Sequence, residues 1–147
     1  MRRRSSLRSG IRVAIVDTGP LYAVADADDA DHERSFAVLR RTDLHLVVPA
    51  LVVAEVSYLL ESRAGSAAEA AFLRGLADLD VEAPLATDWP RIAELVEQYA
   101  DFPLGGTDAS VVALAERLRT DLVITLDRRP FGAVRPRHCP ALQLLPD

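Results

Sequence analysis

Lysine and asparagine are both missing from the 147 residues, so that all 17 basic residues are arginine. Because a phosphate-binding P-loop ends in Gly-Lys-Ser/Thr, the missing lysine excludes that kind of nucleotide site. The only cysteine, Cys139, rules out a disulfide framework and suits a reducing, cytoplasmic environment. No apolar run approaches the roughly 18 residues of a membrane span, so we expect no membrane partner.

Negative charge predominates, with a formal net charge of −5 at pH 7. This balance argues against nucleic-acid binding by bulk electrostatics, but it leaves room for a nuclease whose own acids are neutralised by metal ions. The length and the ordinary hydrophobic content are those of one globular domain with a full core. We therefore divide the chain into a basic arm over residues 1–12, expected to be disordered, and a folded domain over residues 13–147.

Two short apolar runs each end abruptly in an acid. Val13-Ala14-Ile15-Val16 precedes Asp17, and a run from Leu122 to Leu126 precedes Asp127. Continuous β-branched runs are typical of strands buried on both faces of a parallel sheet. Ligands of such sheets bind outside the carboxyl ends of the strands, so both acids are candidate site residues. The alternative interpretation of each is a plain turn or cap acid.

Helix and strand patterns alternate along the rest of the chain. Helices are predicted at about 20–25, 32–41, 50–63, 66–79, 87–99 and 107–118, and strands at 46–48, 81–83 and 142–145. We expect Thr18 to cap the first helix, Phe36 to point inward, and Ser66 with Glu69 to form a capping box. The alternation predicts an α/β fold, a three-layer α/β/α sandwich around a mostly parallel central sheet.

Two further acids lie among the apolar residues of predicted helices. Glu55 has apolar residues one turn before and after it, and a carboxylate on an apolar stripe is costly unless it is paired or binds a cation. We expect either function or a core arginine partner for Glu55. Asp108 follows Thr107 in the first turn of its helix, and Val112 lies on its own face, so Asp108 is also expected to face inward.

Four carboxylates at one sheet edge would repel each other, and divalent cations would remove that repulsion. Oxygen ligands of this kind suit Mg²⁺ or Mn²⁺. Such acids, with one or two bound hard metal ions, can activate water for hydrolysis of a phosphodiester. No serine, histidine or cysteine is placed as an obvious nucleophile.

Four stretches together resemble a PIN domain, most of all the VapC-type toxins of bacterial type II toxin–antitoxin pairs. They are Val-Asp-Thr-Gly-Pro-Leu at 16–21, Pro-Ala-Leu-Val-Val-Ala-Glu-Val at 49–56, Thr-Asp-Ala-Ser-Val-Val-Ala-Leu-Ala at 107–115 and Leu-Val-Ile-Thr-Leu-Asp-Arg-Arg-Pro-Phe at 122–131. The resemblance covers about Val13 to Leu145. Pro130 departs from it, because many members carry a further aspartate there.

The resemblance implies a catalytic metal site formed by the family's acids, which fall on Asp17, Glu55, Asp108 and Asp127. It implies a Mg²⁺-dependent endoribonuclease, with Mn²⁺ as a possible substitute, that cuts structured RNA such as tRNA or ribosomal RNA. It also implies a homodimer that a cognate antitoxin protein neutralises. Thr125 matches the polar residue that the family often has before its last acid.

Five residues beside the acids are candidate supporting residues: Thr18, Thr107, Thr125, Arg128 and Arg129. The two arginines, with Arg135 and Arg137, follow Asp127 closely and would hold substrate phosphates or else form a solvated basic turn. Two other functions stay open. One is a PIN scaffold that binds RNA or protein without cutting, and the other is a small α/β phosphohydrolase with Asp17 as nucleophile, which the missing lysine disfavours.

Overall fold

A computed structural model describes residues 10–147, and within them five strands form a single all-parallel sheet. The strands are β1 (Arg12–Val16), β2 (Leu44–Pro49), β3 (Asp80–Glu82), β4 (Leu122–Ile124) and β5 (Gln143–Leu145). Their order in the sheet is β3-β2-β1-β4-β5. Ala14, Ile15 and Val16 are consecutive and fully buried, which requires cover on both faces of the central strand. The predicted three-layer α/β fold is confirmed.

Seven α-helices lie in the described part of the chain, and none of them combines the length and apolar composition of a membrane span. They are α1 (Thr18–Ala25), α2 (His32–Leu39), α3 (Ala50–Ala64), α4 (Ser66–Gly75), α5 (Trp89–Gln98), α6 (Gly106–Leu118) and α7 (Arg128–Ala133), with short 3₁₀ helices at Leu76–Asp78 and Ala86–Asp88. Helix α6 is the most deeply embedded of them, because every residue from Ala109 to Ala115 is buried.

The order of the strands reverses next to β1. The chain runs from β1 outward through β2 to β3, and then returns to the other side of β1 for β4 and β5. Val16 is in register with Ile124, and the N–H of Asp17 donates to the Ile124 carbonyl at 2.9 Å. A crevice outside the carboxyl ends of β1 and β4 is where this kind of sheet binds ligands.

The amino-terminal boundary differs slightly from the predicted one. Strand β1 begins at Arg12, whose guanidinium donates hydrogen bonds to Asp121 and Gln143 at 3.3 and 3.0 Å. Arg12 is therefore part of the sheet and not of an arm. Residues 1–9 lie outside the described residues, so the prediction of a disordered arm stays a prediction.

The residues of α2 that face the core lie one position before the predicted ones. Phe36 is 43% exposed, and Ser35 and Val38 are the residues of this helix that are buried. The Phe36 ring stacks on the His32 ring, and the Arg40 guanidinium lies over its face at 5.5 Å. Because α2 has only two turns, a shift of one residue is enough to move an aromatic ring from the core to the surface.

Two predicted helix caps are absent. Neither α1 nor α4 has a side-chain capping bond, and their N-cap residues are Asp17 and Gly65. The carboxylate of Glu69 accepts a hydrogen bond from the Ser57 hydroxyl, so that it joins α4 to α3 in place of a capping box. The Thr18 hydroxyl is also used between helices, as described below.

Candidate active site

Asp17 is the buried acid at the centre of the crevice. It follows the last residue of β1, and only 4% of its surface is exposed. Its Oδ2 accepts a hydrogen bond of 2.8 Å from the Thr125 hydroxyl, whereas Oδ1 is buried without a hydrogen-bond partner among residues 10–147. Burial raises the pKa of Asp17 to about 6, and the negative charges of Glu55 and Asp127 add to the increase.

Thr125 joins the ends of the two central strands. Its hydroxyl donates to Asp17 and accepts a hydrogen bond of 3.0 Å from the N–H of Asp127. Its own N–H donates to the Leu145 carbonyl at 2.8 Å, which extends the pairing of β4 with β5 by one residue. One hydroxyl therefore links the Asp17 carboxylate to the backbone of Asp127. The carboxylate of Asp127 is exposed at the start of α7.

Asp108 faces the same crevice from the first turn of α6 and is half-buried. Burial raises its pKa to about 7. Three neighbouring negative charges add to this increase, and they belong to Asp17, Asp127 and Glu55. A carboxyl group whose charge is opposed by three others lies in a region of strong negative potential.

Glu55 is not buried as predicted, although it lies near Asp17 and Asp108 as expected. Its side chain is exposed and does not lie on the buried stripe of α3, which is formed by Val52, Val56 and Leu60. No core arginine pairs with it among the described residues; its Oε1 accepts a hydrogen bond of 2.6 Å from the Thr18 hydroxyl. Glu55 is nevertheless near enough to raise the pKa values of Asp17 and Asp108.

These observations bear on whether a metal ion fits the crevice. A buried carboxylate oxygen without a partner, surrounded by three other acids, is an arrangement that a hard cation compensates. Within residues 10–147, no three acidic, histidine or cysteine side chains are arranged to hold an ion as they stand. Without a cation the carboxylates repel each other, and the exposed Asp127 carboxylate is free to reorient. The donor set fits Mg²⁺ or Mn²⁺, and ligation requires this movement.

The remaining supporting candidates differ in their contacts. The Arg128 guanidinium donates to the Pro146 carbonyl at 3.0 Å, whereas Arg129 is exposed and has no ion pair in the described region. Arg137 bonds Glu94 at 2.8 Å. The carbonyl of Thr107 accepts a 2.6 Å hydrogen bond from Ser110, which lies in the first turns of α6.

The sequence interpretation did not single out Gly19. A Cβ placed on this residue would lie 3.3 Å from Cβ of Leu126, which is closer than most real contacts. Glycine therefore lets the start of α1 approach the segment between Thr125 and Asp127. The available signal was a glycine two residues after an acid at a strand end.

A comparison with known protein families agrees with this arrangement. The PIN domain family matches residues 14–135, a segment that contains all four acids. The chain belongs to the PIN-domain family. Ribonuclease VapC26 of Mycobacterium tuberculosis is 41% identical to this PIN domain over 124 residues, which are 83% of this chain and 92% of the relative. The family resemblance derived from the four motifs is confirmed.

Solved structures show the same fold. The VapC20 toxin of Mycobacterium tuberculosis, described as cleaving the sarcin–ricin loop, has a TM-score of 0.70 at 20% identity and covers 75% of this chain and 86% of its own. VapBC2 of Rickettsia felis has a TM-score of 0.65 at 15% identity, covering 90% and 98%. A toxin–antitoxin complex from Klebsiella pneumoniae has a TM-score of 0.62 at 17% identity, covering 82% and 92%.

Proposed function

We propose that this PIN domain is a metal-dependent endoribonuclease toxin of the VapC type. The observation that carries the proposal is the group of four acids at the reversal of strand order, where their charges act on one another. The 41% identity with a VapC ribonuclease supports RNA as the substrate. The domain cleaves structured RNA such as tRNA or ribosomal RNA and works in the cytoplasm.

The acids Asp17, Glu55, Asp108 and Asp127 hold the metal, with Mg²⁺ as the physiological ion and Mn²⁺ as a substitute. A bound ion of this kind activates water and neutralises charge that develops on the phosphodiester. Asp17 is fixed by Thr125, and the exposed guanidinium of Arg129 is available for a phosphate of the RNA.

We propose two protein partners. One is a cognate antitoxin that neutralises the enzyme, because similar folds occur in toxin–antitoxin complexes. The other is a second copy of the same chain in a homodimer, which the family resemblance implies. Co-expression with the product of an adjacent small gene, followed by measurement of growth and of the mass of the purified complex, tests both.

The alternative function is a PIN scaffold that binds RNA or protein without cutting it. The observation in its favour is that, among the described residues, no three acidic, histidine or cysteine side chains are arranged to bind a metal ion. Cleavage of total RNA by the purified protein, with Mg²⁺ and with EDTA, separates the two functions. Each cleavage is compared with that of Asp108→Asn and of the control Asp101→Asn, an exposed acid in the loop before α6.

We expect cleavage with Mg²⁺ by the wild type and by Asp101→Asn, and none with EDTA or with Asp108→Asn. Equal cleavage by the two variants would overturn the assignment of the acids. Absence of cleavage in every sample, with RNA still bound, would support the scaffold.

A further inference from the structure

We infer that Thr18 is a positioning residue whose hydroxyl holds the Glu55 carboxylate toward the acids of the crevice. The bond between Thr18 Oγ1 and Glu55 Oε1 is 2.6 Å long and joins the first residue of α1 to the second turn of α3. The inference rests on the proposed function, because it gives Glu55 a role at the metal. It assigns a task to a side chain that has no capping function, since α1 has no side-chain cap.

The Glu55 carboxylate needs a bonding partner to stay near the other acids. Its side chain is exposed to solvent, and the neighbouring charges of Asp17 and Asp108 oppose its own. A flexible carboxylate in that situation gains by turning into water, away from the other two. Among the described residues, the Thr18 hydroxyl is the only group that bonds this carboxylate.

Thr18 is well placed to resist that movement. The preceding residue, Asp17, is fixed to β4 by its N–H bond to Ile124, and the following residue, Gly19, packs closely on Leu126. The backbone of Thr18 is therefore held by the sheet, and its β-branched side chain has few rotamers. A hydroxyl carried by this fixed backbone stays within reach of the Glu55 carboxylate.

The bond is expected to matter little for the stability of the fold. Glu55 is exposed, and hydrogen bonds at the surface contribute little to the free energy of unfolding because water replaces them. Removal of the hydroxyl should consequently change metal affinity and turnover far more than the melting temperature. This difference separates positioning from a purely structural role.

The test is a double-mutant cycle with Thr18→Val, Glu55→Gln and the double variant, read out by binding of Mn²⁺ alone in electron paramagnetic resonance. We expect Thr18→Val to weaken Mn²⁺ binding about 10-fold, which is typical of groups that orient metal ligands. In the Glu55→Gln background, the same change should have almost no further effect. Thr18→Ala provides a second way to remove the hydroxyl.

Three controls complete the experiment. Thr18→Ser keeps a hydroxyl and should bind Mn²⁺ within about twofold of the wild type. Thr87→Val, in the 3₁₀ helix before α5, makes the same chemical change away from the acids and should alter nothing. In RNA cleavage, Thr18→Val should lower kcat and leave the KM for RNA nearly unchanged, because the RNA does not bind through this hydroxyl.

Mn²⁺ affinity that falls with Glu55→Gln but stays at the wild-type value with Thr18→Val would overturn the inference and leave the proposed function in place. An equal loss from Thr18→Val with and without Glu55 would also overturn it, because Thr18 would then act by another route. Unchanged Mn²⁺ binding by Glu55→Gln would remove Glu55 from the metal site, and the inference would fail together with that part of the proposed function.

Discussion

Asp17→Asn isolates the effect of the buried charge, because the two side chains have nearly the same shape and only one of them ionises. In the metal-free protein, burial raises the pKa of Asp17 from 3.8 to about 6. Each pKa unit corresponds to about 1.4 kcal/mol, so the ionised carboxylate costs the native state about 3 kcal/mol. Asp108, whose pKa is raised to about 7, adds a decrease of its own in the wild type and in the variant, so the comparison between the two proteins is what reports on Asp17.

The direction of the pH effect follows from this increase. Below pH 4, Asp17 is protonated in both the native and the unfolded state, and the cost is absent. As pH rises from about 4 to 6, the unfolded state loses its proton first, so the free energy of unfolding of the wild type decreases. Above that window the full cost is present. The asparagine variant lacks this decrease, and it also removes one of the charges that raise the pKa of Asp108.

The measurement is urea unfolding in EDTA between pH 4 and 8, followed by Trp89 fluorescence. We expect the wild type to lose about 3 kcal/mol more than Asp17→Asn across this range, and Asp101→Asn to behave as the wild type does. Adding Mn²⁺ at pH 8 should stabilise the wild type and not Asp17→Asn, since an ion that binds only the native state raises its stability. If the free energy of unfolding changed equally with pH in the wild type and in Asp17→Asn, the claim that Asp17 carries a buried, uncompensated charge would be refuted.

Two further predictions concern Thr125 and Arg129. Thr125→Val removes the donor to Asp17 and the acceptor of the Asp127 N–H. It should therefore lower the free energy of unfolding in urea by about 1–3 kcal/mol and abolish RNA cleavage. A stable and fully active variant would contradict the role of this hydroxyl. Arg129→Ala should leave the melting temperature unchanged, raise the KM for RNA and reduce the salt dependence of that KM, whereas Arg74→Ala on α4 serves as a surface control. Equal KM values for the two arginine variants would exclude a phosphate contact of Arg129.

The fold and the strand-end acid Asp17 were accessible from the sequence because both depend on short-range patterns. Asp127 was predicted to end its strand directly, but β4 ends at Ile124 and Asp127 lies at the start of α7. A continuous β-branched run that ends in an acid predicts a buried parallel strand with a polar group at its carboxyl end, as the structure shows for Asp17. The helix of Asp108 begins one residue before the predicted Thr107. What joins these acids is the strand order, and periodicity carries no information about which strands become neighbours.

The errors arose where a side chain packs or bonds with a partner that the sequence pattern did not indicate. Phe36 is apolar and lies in a helix, yet its ring packs on His32 and beneath Arg40 at the surface. Glu69 has the spacing of a capping box, but its carboxylate bonds Ser57 on the preceding helix. For Glu69 a contact between two helices replaces the local capping pattern, whereas Phe36 packs at the surface against residues four positions before and after it.

Glu55 shows why topology is the better guide to this site. Its predicted burial was wrong, because neighbours one turn away do not reveal that this position lies just outside the buried stripe of α3. Strand β2 nevertheless delivers α3 to the same sheet edge that carries Asp17, since Pro49 ends the strand and Ala50 begins the helix. A residue five positions into α3 is about 8 Å along its axis, which is within reach of that edge. An acid that reaches the crevice from a solvent-exposed helix face has no core packing to hold it, and a short cross-helix bond such as that of Thr18 supplies the constraint that burial supplies for Asp17.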